Sequence, residues 1–163
     1  MFTGKAKHTV NKDGRLSIPS KMRDVIKKKY DPDDLFLILM PGNVVCLYPG
    51  REFETLTHRF ENPQGASIAD IMAIERICAE AEPCKLDGSG RIVIPPILIE
   101  AGGLGSEVLV VGARSHIEIW NEEHWNWNQS RNRSVLEGFK AWPVRQSQDA
   151  AQSPHSPQTV PTS

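Results

Sequence analysis

The sequence predicts an α+β protein built from two similar units of β-hairpin and short helix, with linker and C-terminal helices. Residues 11–19 align without gaps to residues 87–95, a shift of 76 positions. Both copies contain Gly-Arg followed by an apolar residue, and both end in Ile-Pro. Downstream, residues 35–48 and 108–120 each contain two apolar runs separated by a turn. Repetition of this kind indicates a duplicated unit, here of roughly 50 residues.

The first unit begins with a strand at residues 8–10 and a tight turn. Asp13-Gly14 is a preferred pair for a type I′ hairpin. Alternation along the return strand is expected to direct Leu16 and Ile18 inward and to leave Arg15 exposed. Proline suits the first turn of a helix, so Pro19 is expected to end the strand and to begin a short helix. That helix should bury three apolar side chains, Met22, Val25 and Ile26.

The second unit repeats this order. Residues 85–86 are expected to form the entering strand, and Gly88-Ser89-Gly90 the turn. Pro95 is expected to begin a helix that buries Leu98 and Ala101. Gly102-Gly103 should end that helix.

A linker helix is predicted between the units. Ser67 and Asp70 have the spacing of a capping box. The expected apolar stripe follows at helical spacing in Ile71, Ile74, Cys78 and Ala81. The predicted organisation is a first repeat at 1–54, linker helices at 55–82, a second repeat at 83–126, a C-terminal helix at 127–142 and a disordered tail at 143–163, where Gln, Ser, Pro and Thr replace apolar residues.

Composition excludes several classes of protein. No apolar run approaches the ~20 residues that span a bilayer, and no secretory leader is recognised at Met1. Three cysteines without a disulfide framework favour a reduced, cytosolic protein. Residues 1–29 contain nine Lys or Arg and two acidic residues, a net charge of +7. The whole chain has −1, so the remainder carries −8.

Arg15 and Arg91 are the strongest candidates for site residues. Each follows a turn glycine, Gly14 or Gly90, on the outward face of a strand. The guanidinium is a planar fork of donors that suits phosphate oxygens and guanine acceptors. Each arginine has a polar residue four positions earlier, Asn11 or Asp87. The alternative is structural, because such a pair can simply clamp the turn.

Lysines around the first turn are candidate phosphate contacts. Lys5, Lys7 and Lys12 rank first because they are expected to share the hairpin with Arg15. The run Lys27–Lys29 is equally consistent with a solvated helix end. The four tryptophans favour packing or a subunit interface over stacking on bases. No catalytic set, metal site or cofactor loop is recognised, so neither an enzyme nor a cofactor is expected.

These motifs resemble the MraZ family, a two-repeat branch of the AbrB-like, swapped-hairpin DNA-binding proteins. The resemblance covers about residues 1–140. It rests on the residues at both turns, on Phe2-x-Gly4 and on the closing hairpins, with Leu47-Tyr48-Pro49, Val111-Gly112 and Glu118-Ile119-Trp120. It implies that the repeats form an intrachain pseudo-dimer β-barrel.

The resemblance also implies a function. Such proteins are cytoplasmic, nucleoid-associated transcriptional regulators that assemble into homo-oligomeric rings. They bind direct repeats in double-stranded DNA at the promoter of the division and cell-wall gene cluster, usually as repressors. No membrane and no small-molecule substrate is implied.

This chain departs from the family pattern at three positions. The family repeat reads Asp-x-x-x-Arg, which Asp87 and Arg91 match. In the first copy Asn11 replaces the aspartate; it can still accept a hydrogen bond from Arg15 but has no charge to hold it. Asp13 stands where lysine is common and should offset one positive charge. Ile99 stands where arginine is frequent, at the position that matches Arg23.

Two other functions stay open. An antitoxin-like AbrB relative would neutralise a protein partner, for which the tail at 144–163 offers few anchors. An undetected enzyme would require a deep polar pocket with convergent histidines and carboxylates.

Overall fold

The structure, a computed structural model, describes residues 1–61 and 67–140 and confirms a mixed α+β architecture. The strands are β1 (Lys5–Thr9), β2 (Arg15–Ser17), β3 (Leu35–Met40), β4 (Val44–Pro49), β5 (Glu82–Cys84), β6 (Arg91–Val93), β7 (Glu107–Ala113) and β8 (His116–Trp120). The helices are α1 (Ser20–Lys29), α2 (Gly50–Glu61), α3 (Ile68–Ala79), α4 (Pro96–Ala101), α5 (Glu122–Arg131) and α6 (Arg133–Lys140).

The chain divides into two compact units. The first comprises Met1–Trp125, and the second begins at Asn126, within α5. The predicted disordered tail at 143–163 and Trp142 lie outside the described residues. The C-terminal helix expected at 127–142 corresponds to the end of α5 and to α6.

The two repeats exchange strands. One antiparallel sheet has the order β1-β7-β8-β4-β3-β5, and a separate two-stranded ribbon pairs β2 with β6. Thus β1 of the first repeat pairs with β7 of the second, and β5 of the second pairs with β3 of the first. The hairpins β3–β4 and β7–β8 are joined at the centre, where β4 pairs with β8. Strands of both repeats therefore lie in one sheet, and each outermost strand pairs with a strand of the other repeat.

Strand exchange corrects the predicted entering hairpins. We expected β1 to run back along β2, but β2 forms its ladder with β6, and Val10, just after β1, makes an isolated bridge to Leu16. Both strands find longer partners in the other repeat, and this explains why local turn chemistry did not predict the pairing. The second entering strand also lies earlier than residues 85–86, at Glu82–Cys84.

The core is formed jointly by the repeats. Leu16, Ile18 and Ile26 of the first repeat belong to one buried cluster with Ile92 and Ile94 of the second. A smaller cluster, which includes Cys46 and Tyr48, packs with side chains of α2 and with Trp125. The predicted inward positions of both return strands are confirmed, because Leu16, Ile18, Ile92 and Ile94 are at most 1% exposed.

The short helices begin as predicted, directly after Pro19 and Pro95. The capping box of α3 is confirmed, with Ser67 and Asp70 bonded reciprocally. Its stripe needs one correction: Cys78 is exposed, and Ile77 packs against the smaller cluster instead. Within the part of the chain that the structure describes, no helix is long and apolar enough to cross a membrane.

The ribbon core yields the first testable prediction. Leu16→Ala should lower the free energy of unfolding by about 3 kcal/mol, because it empties a fully buried site. Ser17→Ala, which removes the exposed neighbour, should change it by less than about 0.5 kcal/mol. Urea denaturation followed by circular dichroism measures both. Since the core is shared, we expect one cooperative transition; loss of only half of the signal would contradict the shared core.

Candidate nucleic-acid interface

The ribbon of β2 and β6 places both predicted arginines on one outward face. Its antiparallel register sets Arg15 opposite Val93 and Ser17 opposite Arg91. Arg15 and Arg91 are therefore diagonal neighbours on the same side, roughly 7–8 Å apart by the usual geometry of such pairs. The central Leu16–Ile92 pair faces the core and is buried. A guanidinium from each repeat is thus presented on a single rigid support.

Hydrogen bonds beyond the strands extend this ribbon. The backbone N–H of Ile18 donates to the carbonyl of Gly90 at 3.0 Å, and that of Ile94 donates to Gly14 at 2.9 Å. Each turn glycine therefore accepts a hydrogen bond from the other repeat. The two turns are fixed relative to each other by backbone bonds.

The first turn is organised by Asn11. Its carbonyl accepts the N–H of Gly14 at 3.0 Å. Its side-chain Oδ1 accepts the backbone N–H groups of Asp13 at 3.0 Å and Arg15 at 2.8 Å. Gly14 has φ +76°, whereas Asp13 is not left-handed. The turn is therefore not the predicted type I′, because only its last residue has positive φ; it is a three-residue loop that ends in a left-handed glycine.

The second turn repeats this geometry with Asp87. Its carbonyl accepts the N–H of Gly90 at 2.9 Å, and its Oδ1 accepts the N–H groups of Ser89 and Arg91, both at 2.9 Å. Its Oδ2 accepts the Nε–H of Arg91 at 3.0 Å. The backbone bond from Arg91 is the main cause that lowers the pKa of Asp87, and the bonds from the Arg91 side chain and Ser89 add to it. Asp87 thus both caps the turn and accepts a hydrogen bond from the guanidinium of Arg91.

Arg15 is held by a different residue from the one expected. Its Nη1 donates to Oδ2 of Asp13 at 3.0 Å, while Asn11 bonds only its backbone. Asn11 therefore accepts a hydrogen bond from Arg15, as expected, but only from its backbone, and the carboxylate in contact with the guanidinium is that of Asp13. Sequence reasoning treated Asp13 only as an offsetting charge, because the aligned repeat has Ser89 there and gives no signal of an ion pair.

The predicted lysines are divided between two places. Lys12 lies in the first turn, at the rim of a cleft that Gly14 and Ile99 also line. Lys5 and Lys7 do not share a ladder with Arg15, because β1 pairs with β7. The Nζ of Lys5 lies 5.4 Å from the ring centroid of Trp125.

Lys7 is paired with an acid from α5. Its Nζ lies 2.8 Å from Oε1 of Glu122. The hydrogen bond that Lys7 donates to Glu122, and then the negative charge of Glu122, raise the pKa of Lys7. The ion pair compensates part of the Lys7 charge at this edge of the sheet.

Two packing contacts cross between the repeats and were not predicted. The Nη1 of Arg23 donates to the carbonyl of Ser89 at 3.3 Å, and a Cβ at Gly90 would lie 2.2 Å from Arg23 Cδ. The Nε of Arg23 is buried and has no hydrogen-bond partner within residues 1–61 and 67–140. At the related position Ile99 packs beside Gly14, with Cδ1 3.6 Å from where a Cβ would stand. Each short helix thus covers the turn of the other repeat.

Among residues 1–61 and 67–140, no group of three His, Cys, Asp or Glu could hold a metal ion. Trp120 is a packing residue, as expected: it is buried, and its Nε1 donates to Glu118 at 2.8 Å. Burial disfavours the ionised form of Glu118, but the hydrogen bonds from His116 and Trp120 leave its pKa below the usual value.

Comparisons with known proteins show which family this chain is similar to. A family model described as "MraZ protein, putative antitoxin-like" matches residues 77–137. The transcriptional regulator MraZ of Syntrophobacter fumaroxidans is 32% identical over 125 residues, which cover 77% of this chain and 82% of that protein. The protein of the same name from Lachnoclostridium phytofermentans is 33% identical over 138 residues, 83% of this chain and 92% of that protein. That of Thermomicrobium roseum is 34% identical over 128 residues, 77% and 84% of the two chains.

Gly14 provides a test of the turn geometry. Gly14→Ala should lower the free energy of unfolding by about 2 kcal/mol or more, because φ is left-handed and the new Cβ would stand 2.5 Å from the carbonyl oxygen of Ile94. Gly88→Ala is the matched control. Its Cβ would meet nothing within 4 Å, so the change should stay within about 0.5 kcal/mol. Equal losses in chemical denaturation would contradict the turn described above.

Proposed function

The chain belongs to the MraZ family, and from this premise we propose that it is a sequence-specific, DNA-binding regulator of transcription. The relatives described above are named transcriptional regulators. The observation that carries the proposal is the ribbon face on which Arg15 and Arg91 stand side by side, each in contact with a carboxylate.

A two-stranded ribbon is an element that can bind in a groove of double-stranded DNA. The major groove admits a two-stranded β-ribbon, and bidentate arginine to guanine is the commonest specific contact. Arg15 and Arg91 each retain 42% exposure of the side chain. We assign these two residues to base or phosphate contact on the same DNA segment.

The remaining predicted residues have supporting roles in this proposal. Asn11 and Asp87 cap the turns, and Gly14 and Gly90 provide the left-handed backbone that the turns require. Lys12 lies beside the ribbon and is assigned to phosphate. Lys5 and Lys7 lie on β1 and belong to the wider field of the +7 segment, which attracts an anionic partner and makes its binding dependent on salt.

Assembly and target follow from the family resemblance. We propose that the two repeats form an intrachain pseudo-dimer β-barrel, a proposal that the exchange of β1 and β5 supports. We further propose a homo-oligomeric ring in the cytoplasm, associated with the nucleoid. The ring would bind direct repeats at the promoter of the division and cell-wall gene cluster and repress it. Several weak contacts from one ring multiply through effective concentration.

A second candidate function is an antitoxin-like module that neutralises a protein partner. The description of the matching family model favours it. Purification of the tagged full chain from its own cells would separate the two. A stoichiometric small protein whose binding survives Arg15→Ala would favour the antitoxin function, and recovery of promoter DNA would favour the regulator.

The arginines provide the direct test of DNA contact. Arg15→Ala and Arg91→Ala should each weaken binding to a duplex enriched by the wild-type protein from a random library by about 5- to 100-fold, which corresponds to 1–3 kcal/mol. The loss on a scrambled duplex should be smaller, because non-specific affinity comes from many phosphate contacts. Fluorescence anisotropy at several salt concentrations measures both.

Arg51→Ala is the control for this experiment, since it removes the same charge from the exposed surface of α2. It should leave the ratio of the two affinities unchanged. Equal affinity of the wild-type protein for both duplexes would refute sequence specificity. Unfolding or dissociation of the two ribbon variants, seen by light scattering and circular dichroism, would support the structural clamp instead.

The proposed ring predicts a dependence on the number of sites. A duplex with three direct repeats should bind at least about tenfold more tightly than one with a single repeat, because linked sites gain 10²–10⁴ in avidity when the geometry permits. Inserting half a helical turn between the repeats should remove most of the gain. Identical affinities for one and three repeats would contradict multivalent binding.

A further inference from the structure

The two turns distribute their polar side chains differently. Position 11 holds Asn and position 13 holds Asp, whereas the related positions 87 and 89 hold Asp and Ser. In both turns Oδ1 of the first residue accepts the same two backbone N–H groups. Asn11 therefore caps its turn with the same pair of hydrogen bonds as Asp87.

The two residues differ in their remaining side-chain atom. Oδ2 of Asp87 accepts the Nε–H of Arg91. The corresponding atom of Asn11 is the amide nitrogen, which donates and cannot accept a guanidinium N–H. The first turn nevertheless retains one carboxylate for its arginine, since Oδ2 of Asp13 accepts the Nη1–H of Arg15. The distance is 3.0 Å in both ion pairs.

We propose that Asp13 is the positioning residue of Arg15 and that it replaces, two positions along the turn, the carboxylate that Asp87 provides for Arg91. The inference rests on the proposed DNA-binding function, because it concerns how Arg15 is presented to DNA. Asp13 itself touches no base in this proposal and acts through Arg15.

The different positions of the two carboxylates change which N–H donors each arginine has available for DNA. Arg91 is bonded at Nε, and its two terminal amino groups have no other partner among the described residues. Arg15 is held at Nη1, so the edge formed by Nε and Nη2 remains available. A guanidinium has five N–H donors in a fixed plane, and the edge presented decides which acceptors it can bind bidentately. The two repeats therefore read DNA unequally.

The carboxylate that contacts Arg15 is also less firmly fixed than the carboxylate that contacts Arg91. Asp87 is fixed by two backbone bonds to its other oxygen and is 41% exposed. The Asp13 side chain is 71% exposed, and within residues 1–61 and 67–140 its carboxylate bonds only Arg15. The carboxylate that contacts Arg91 is therefore fixed by more hydrogen bonds than the carboxylate that contacts Arg15.

A competing account gives opposite results. If Asp13 only offsets positive charge, its removal strengthens binding to every duplex alike, because non-specific affinity depends on net charge near the phosphates. If Asp13 orients Arg15, its removal lowers discrimination between duplexes. The informative quantity is therefore the ratio of the affinities for the enriched duplex and its scrambled counterpart.

The test compares full-length variants on these two duplexes. Asp13→Asn and Asp13→Ser, the latter copying Ser89, should each lower the ratio by about fivefold, within the range expected for a misplaced bidentate contact. The double variant Asn11→Asp/Asp13→Asn returns the carboxylate to the position that Asp87 occupies, and it should restore the ratio to within about twofold. In an Arg15→Ala background, Asp13→Asn should leave the ratio unchanged.

Asp24→Asn is the matched control, because it removes an exposed acid from the same basic segment. It should change both affinities by the same factor. Equal changes for Asp13→Asn, or no recovery in the double variant while thermal unfolding is unaltered, would overturn the proposed role of Asp13. A wild-type protein without preference, or Arg15→Ala without loss of the ratio, would overturn the proposed function, and the inference with it.

Discussion

The backbone pairing of β2 with β6 is the interaction on which the rest of the structure depends. It joins the first repeat to the second through three opposed residue pairs and through the added bonds from Ile18 to Gly90 and from Ile94 to Gly14. The same pairing buries Leu16 against Ile92 and turns both arginines to one side. It also sets where Pro19 and Pro95 begin the helices that cover the opposite turns. Fold and candidate site are thus specified by one short ladder.

The ion pairs on this ladder are suited to a site that exchanges partners. Exposed ion pairs contribute about 0.2–1 kcal/mol, which is enough to favour one rotamer of a long side chain. A phosphate or guanine contact exceeds that amount, so the arginine can leave its carboxylate without a large penalty. The rigid part of the site is accordingly the backbone of the turns. The adjustable part is the pair of guanidinium groups and, for Arg15, its acid.

Much of this arrangement could be predicted from the sequence because the repeat carries local signals. The alternation of Leu16 and Ile18 with polar residues indicated the buried face, and the Ser67–Asp70 spacing indicated the start of α3. Strand exchange could not be predicted in the same way, because a turn favours a local hairpin whether or not its strands find longer partners elsewhere. The contact of Asp13 with Arg15 could not be predicted for a similar reason. Its role depends on the direction of one exposed side chain, which neither spacing nor composition determines.

The exchange of strands has a consequence for how the protein is made. Lys5 stands opposite Val111, 106 positions later in the chain. During synthesis the N-terminal segment emerges first, and β1 and β2 must wait for partners that the ribosome has not yet produced. The ribbon is completed only after β6 and its covering helix have emerged, so a nascent or truncated chain carries the cationic segment without the paired arginines. A product that ends at residue 90 has no net charge, because four Lys or Arg and eleven Asp or Glu in residues 30–90 offset the +7 of residues 1–29. The face that pairs Arg15 with Arg91 forms only when β6 has been synthesised.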